Sequence, residues 1–356
     1  FWRLCRHAAS LPPALHDLLL ETAHDESGWP YTQFFADTRP QSPAIWNGFR
    51  ADRDDEVVSP AHPLTPSPAH PVSEGSSPVR PVPESALLAY FAPDGPLASL
   101  LGGHFEQRAG QTAMAAQVLH ALNTGDYLLI EAGTGTGKSL AYLLPAALFA
   151  LLNDCRVLVA TNTIALQEQL ITKDIPQVQA LVAVQPPQGS QAEGGEAGEE
   201  VALQAAVLKG RQHYLCTRRL HEWRAGHLLA KEELTVLAKV LVWLALIGEG
   251  DAADIVLNTP AERAVWARIC SDASTCTQER CAGAAWRLGA QEAAGGSAGA
   301  DALWELRDFY WEARRAAESA HLLVVNHALL LADLQAEGRV LPPYRNLVVD
   351  ETHRLE

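Results

Sequence analysis

Glu131-Ala132-Gly133-Thr134-Gly135-Thr136-Gly137-Lys138-Ser139 follows the short apolar run Tyr127-Leu128-Leu129-Ile130 and precedes a long one, Leu140 to Leu152. Strand, glycine loop and helix, in that order, are what a phosphate-binding loop requires. The glycines let the backbone curl until several N–H groups point at the phosphates, beside a helix N-terminus that favours negative charge. Lys138 would reach the β- and γ-phosphates, and the Ser139 hydroxyl would take a Mg²⁺ coordination position. Ala132 stands where G-x-x-x-x-G-K-S/T has its first glycine. A Gly/Thr-rich surface turn is the alternative, and the flanking strand and helix argue against it.

The second half of such a site is expected near the end of the chain. Leu347-Val348-Val349 reads as a buried strand closed by two adjacent carboxylates, Asp350 and Glu351. Alone, such a string is a strand end with solvated acids. Coupled to the phosphate loop, Asp350 is expected to hold Mg²⁺ through water, and Glu351 to orient and deprotonate the attacking water. Further apolar runs, Arg156–Ala160 and Ala320–Val325, suit buried parallel strands. The first leads into Thr161-Asn162-Thr163, which either cap the next helix or meet nucleic-acid phosphates at a strand end. One helix upstream of the loop lie Arg108 and Gln111, and an amide there can read an adenine edge by paired hydrogen bonds. The expected fold is thus α/β, a P-loop parallel sheet with helices on both faces.

Around that motor the chain is uneven. Residues 1–49 alternate apolar and polar positions in helical fashion, with Leu15, Leu18 and Leu19 on one face and Trp29, Tyr31, Phe34 and Phe35 closing a small helical unit. His7, His16 and His24 read there as exposed helix positions. Residues 50–84 are dense in Pro, Ser, His and Asp and read as an extended linker. Residues 85–356 form the motor domain, interrupted at about 203–318 by a cysteine-rich insertion and carrying polar low-complexity tracts at Gln185–Glu200 and Gly289–Ala300.

The net charge of −15 argues against a general nucleic-acid coat protein but not against a motor with a local basic groove. Lys209, Arg211, Arg218 and Arg219 could line such a groove or form a solvated helix face. The longest apolar runs are interrupted by a proline or a lysine and fall short of the ~20 residues that span a bilayer. With no secretory signal, a cytoplasmic location is expected. The chain opens on Phe1-Trp2-Arg3 and holds one methionine, Met114. It is expected to be an internal piece of a longer polypeptide.

Cys216, Cys270, Cys276 and Cys281 suggest a metal centre in a reducing compartment. Cys276-x₄-Cys281 stands at the outer limit of the C-x₂₋₄-C pairs that zinc favours, and no tighter pair accompanies it. Their spacing leaves an iron–sulfur cluster, zinc and unliganded core thiols open. Cys5 and Cys155 read as ordinary buried residues.

Taken together, Ala132–Ser139, Thr161–Leu170 with Lys173-Asp174-Ile175-Pro176, Lys209–Cys216, Val325-Asn326-His327 and Asp350-Glu351-Thr352-His353 resemble the motifs of the DinG/XPD-type superfamily 2 helicases, most closely the bacterial DinG branch. The resemblance spans about residues 100–356, and Ala132 is a departure seen in helicase-type loops. It implies a RecA-like motor domain and an ATP-dependent 5′-to-3′ DNA helicase working on single-stranded DNA in repair or replication. ATP and Mg²⁺ would lie at Gly133, Thr134, Gly135, Thr136, Gly137, Lys138 and Ser139, with Lys138, Asp350, Glu351 and His353 catalytic. It also implies a 4Fe–4S cluster on Cys216, Cys270, Cys276 and Cys281. In relatives the fourth cysteine begins a C-F-Y/L-x-x-A-R segment, where this chain reads Asp308-Phe309-Tyr310-Trp311-Glu312-Ala313-Arg314; either Cys270 replaces it, which is the expectation, or Asp308 itself ligates, or the cluster is labile or lost. Some relatives carry an exonuclease domain upstream. The chain is expected to act as a monomer, and without a second motor domain to bind ATP but turn it over slowly. A protein-remodelling P-loop ATPase and a non-catalytic DNA-binding remnant are the alternatives.

Overall fold

The computed structural model describes residues 13–23, 29, 31–32, 35, 78–133, 135–184, 202–226, 228–246, 250–281 and 307–354. They fall into two compact units, Ser67–Lys209 with Ala313–Glu356, and Phe1–Pro66 with Gly210–Glu312.

The first unit is built on a parallel sheet of four strands, β1 (Val157–Thr161), β2 (Ala205–Val207), β3 (Leu322–Asn326) and β4 (Asn346–Val349), in the order β2-β3-β1-β4. The apolar, β-branched runs that form β1 and β3 are buried on both faces, as parallel strands between helices must be. In register, Thr161 lies beside Asn326, and Ala160 beside Val349. That alignment brings the polar residues closing β1, β3 and β4 to one edge of the sheet, where open α/β sheets present ligand contacts. The helix Lys138–Asn153 is apolar all round and buried from Ala141 to Leu152, so it forms the centre of the core. The helix Ala109–Thr124 packs along it.

At the opposite edge one side chain fastens three strands. Arg156, buried just before β1, donates from Nε to the Ala320 carbonyl and from its terminal nitrogens to those of Glu318 and Pro343. These acceptors precede β3 and β4. Arg156→Ala would leave three carbonyls without that partner and is expected to destabilise this unit by about 2–3 kcal/mol, read as a lower urea midpoint.

One expected element is missing. Tyr127–Ile130 pairs with no strand among the described residues; Tyr127 and Leu129 are exposed, and only Ile130 packs partly on the core. Without cover on both faces a short apolar run gains too little burial to hold a parallel ladder. The glycine loop therefore enters from irregular chain.

The second unit is helical. Thr217–Ala225 and Lys231–Leu246 each pack on Pro260–Ile269, and Pro13–Thr22 packs on Lys231–Leu246. Thr259 opens Pro260–Ile269 with a capping box closed by Glu262, with proline at the first turn. Trp29 donates from its indole to the Thr235 hydroxyl (3.1 Å) and stacks on Phe35. His16, expected on an exposed face, is buried, with its ring edge-on to Phe35 and Nδ1 on the Phe35 carbonyl (3.0 Å). An imidazole with one satisfied nitrogen is readily buried. Phe34, His7, His24, most of the proline-rich linker and both low-complexity tracts lie outside the described residues, as do the side chains of Leu15 and Leu18. Among the described residues no helix is long and apolar enough to cross a membrane.

Candidate nucleotide site and cysteine centre

Gly135 and Gly137 have φ of 81° and 76°, the left-handed region that favours glycine. Gly137 is the N-cap of Lys138–Asn153, so the loop curls directly into a helix start whose first N–H groups lack intrahelical partners. The loop is tied from outside. Arg108 donates to the Gly135 carbonyl (2.6 Å) and Gln111 to that of Gly137 (3.0 Å). A Cβ at residue 137 would strike the Gln111 amide. Thr136 Oγ1 donates to the Gly133 carbonyl (2.8 Å), while Ala132 and Gly133 lead in and Thr134 lies outside the described residues.

Lys138 and Tyr142 are four residues apart and share a helix face. Lys138 Nζ pairs with Glu351 Oε1 at 3.5 Å, and Tyr142 donates to Asp350 Oδ2 at 3.1 Å. Burial, then the charge of Asp350 and the hydrogen bond to it, push the Tyr142 hydroxyl well above the usual tyrosine range, so it stays a donor. Asp350 continues the ladder of β4, its N–H donating to the Ala160 carbonyl (2.8 Å), and its Oδ1 accepts from the Glu351 N–H (2.9 Å). Glu351 has a φ of 57°, uncommon for a residue with a side chain, and its other oxygen lies 3.4 Å from His353 Nε2. His327 Nε2 donates to the Asp350 carbonyl (2.8 Å), which fixes its tautomer.

Tyr142 was not legible as a site residue. It lies inside an apolar helix, and only its spacing from Lys138 marks it. Tyr142→Phe keeps the packing but removes the donor to Asp350. ATPase turnover is expected to fall by about tenfold, with more Mg²⁺ needed for half-maximal rate in steady-state assays. Thr163, with two readings open in sequence, caps the helix Ile164–Gln169 by accepting from the Leu166 N–H (3.2 Å).

The four cations proposed for a basic groove are engaged within their own units. Lys209 is buried against Glu168. Arg211 lies over the Tyr310 ring and donates to the Cys276 carbonyl, Arg218 pairs with Glu222, and Arg219 donates to the Arg268 carbonyl.

Among the described residues three thiols meet: the Sγ atoms of Cys216, Cys276 and Cys281 all lie within 4.8 Å of one another, each residue buried. Antiparallel bridges of Tyr214 to Asp251 and of Leu215 to Cys270 set Cys216 in place. The turn from Asp272, whose carboxylate accepts from the Ser274 and Thr275 N–H groups (3.0 Å each), delivers Cys276. Cys270 stands apart, its Sγ directed at the Ala267 carbonyl (3.6 Å). Cys155 is a core residue whose thiol burial pushes up to about 11.

Fold and site together define a RecA-like P-loop domain of the helicase class, and residues 112–188 match the DEAD/DEAH box helicase family. The chain is 37% identical over 289 residues to the ATP-dependent helicase DinG of Mycobacterium tuberculosis, covering 77% of this chain and 37% of the relative. It is 32% identical over 270 residues to the ATP-dependent DNA helicase YoaA of Escherichia coli, covering 74% and 36%. Identity to the 3′-5′ exonuclease DinG of Bacillus subtilis is 31% over 265 residues, covering 73% and 24%. The chain spans 37% or less of the length of these three relatives.

Proposed function

We propose that this chain is the ATP-binding motor part of a DinG-type DNA helicase, acting in the cytoplasm as a monomer. It would couple ATP hydrolysis to 5′-to-3′ movement along single-stranded DNA in repair or replication. The observation that carries the reading is the meeting of Lys138 with Glu351, and of Tyr142 with Asp350, across a sheet end. The loop amides and Lys138 would bind the phosphates, exchanging the Glu351 contact for the γ-phosphate. Released, Glu351 orients a water in line and takes its proton, with His353 beside it. Ser139 and Asp350 would hold Mg²⁺, which supplies charge neutralisation on the phosphate oxygens. Arg108 and Gln111 would turn from the loop carbonyls to the adenine. The buried thiols suit a soft metal centre, which the resemblance makes a 4Fe–4S cluster.

In the complete helicase, ATPase activity should rise with added single-stranded DNA, and a 5′-tailed duplex should open in preference to a 3′-tailed one. ATPase indifferent to DNA would replace the helicase by a protein-remodelling ATPase. DNA binding that needs no ATP site would leave a non-catalytic remnant.

A further inference from the structure

The peptide between the two carboxylates of the nucleotide site is held at both of its polar atoms. A peptide unit is planar, so the Asp350 carbonyl and the Glu351 N–H turn together. The oxygen accepts from His327 Nε2 (2.8 Å), and the N–H donates to Oδ1 of Asp350 itself (2.9 Å). The orientation of that plane sets the direction in which the Glu351 side chain departs. Glu351 leaves it with a φ of 57°, a left-handed conformation that a residue with a side chain keeps only where its surroundings impose it. From the turn that follows, the Arg354 N–H donates to the Glu351 carbonyl (2.9 Å). We propose that His327 is a positioning residue for ATP hydrolysis: by fixing the peptide between Asp350 and Glu351, it aims the Glu351 carboxylate at the phosphate site. The inference rests on the reading of Asp350 and Glu351 as the hydrolytic pair and deepens it.

The fold places the ring for this task. In the sheet β1 lies between β3 and β4, so the ends of the outer two strands do not touch. His327 opens the helix His327–Gln335 directly after β3, and Asn326 caps that helix by accepting from the Leu329 N–H (2.9 Å). From there the imidazole reaches over the end of β1 to the residue that follows β4. The side chain is buried, and Nδ1 has no partner among the described residues. Its single hydrogen bond there thus goes to the main chain of the hydrolytic turn. A leucine would fill such a place as well; what histidine adds is the donor.

The test is ATP hydrolysis by the complete helicase at saturating Mg²⁺ and single-stranded DNA, for His327→Leu, His327→Asn and His327→Gln. The amide N–H of glutamine extends about as far as Nε2, whereas that of asparagine extends only as far as Nδ1. His327→Leu and His327→Asn should each lose about tenfold in turnover while the KM for ATP stays within about twofold, as for a contact that acts in the transition state and not in binding. His327→Gln should stay within about threefold of wild type. Added to Glu351→Gln, where the aimed base is already gone, His327→Asn should cost less than about twofold more in single-turnover hydrolysis. Wild-type turnover in His327→Asn, equal losses in His327→Gln and His327→Asn, or a further loss of about tenfold in the Glu351→Gln background overturns the proposal. The His327→Asn and His327→Gln pair decides even where His327→Leu fails to fold. The single variants Glu351→Gln and Lys138→Ala separate the two readings. Wild-type turnover in both would remove the nucleotide site itself, whereas their failure beside an unaffected His327→Asn would remove only the role of His327.

Discussion

Replacing Lys138 with alanine is expected to abolish productive ATP binding and to lower turnover by at least about 10²–10³-fold, the cost of removing one preorganised charge from a phosphoryl site. The geometry gives the reason. Lys138 is the first residue of a buried helix, held in place by a left-handed Gly137 and aimed at Glu351, 3.5 Å away. Its own burial contributes little to the fold, since a third of its side chain is exposed. Stability should therefore stay near wild type while the nucleotide is lost. Lys138→Arg should not rescue, because a planar fork does not replace a compact ammonium in a loop this tight. Titration with a fluorescent ATP analogue and a steady-state ATPase assay check both parts. Turnover within tenfold of wild type would remove the nucleotide reading altogether.

Glu351→Gln should separate chemistry from binding. The amide keeps the volume and can take the same backbone conformation, but it cannot accept a proton. Turnover is expected to fall by roughly 10²–10⁴. ATP affinity should hold or rise, because Lys138 loses the carboxylate that competes with phosphate for it. This is the opposite pattern from Lys138→Ala, where binding fails first. Pre-steady-state measurement should find bound, uncleaved ATP. A variant that hydrolyses ATP at the wild-type rate would move the base elsewhere, and one that no longer binds ATP would make Glu351 a structural residue.

These two residues were legible because their requirements are local. A loop that must place glycines at positive φ before a lysine and a helix start can be read without knowing what packs on it. The same holds for β1 and β3, whose continuous apolar runs admit burial on both faces. Tyr127–Ile130 has the same composition and is not a strand, because no neighbour covers it. His16 shows the reverse error: its ring looked solvated from its helix position, and only Phe35, well along the chain, makes it a core residue. Cys270, grouped with the other thiols by spacing, has its sulfur on the Ala267 carbonyl, while the Sγ atoms of Cys216, Cys276 and Cys281 come within 4.8 Å of one another.

By itself, then, the sequence determined the phosphate loop, the paired carboxylates and the parallel-sheet class, all consequences of backbone permissiveness, charge and apolar runs within a few residues. Only the tertiary structure decided that Tyr142 meets Asp350, that Arg156 fastens three strands, and that Cys216, Cys276 and Cys281 come together. Those pairings join residues as far as 208 positions apart. They depend on strand register and on crossover paths, which no short stretch of chain encodes.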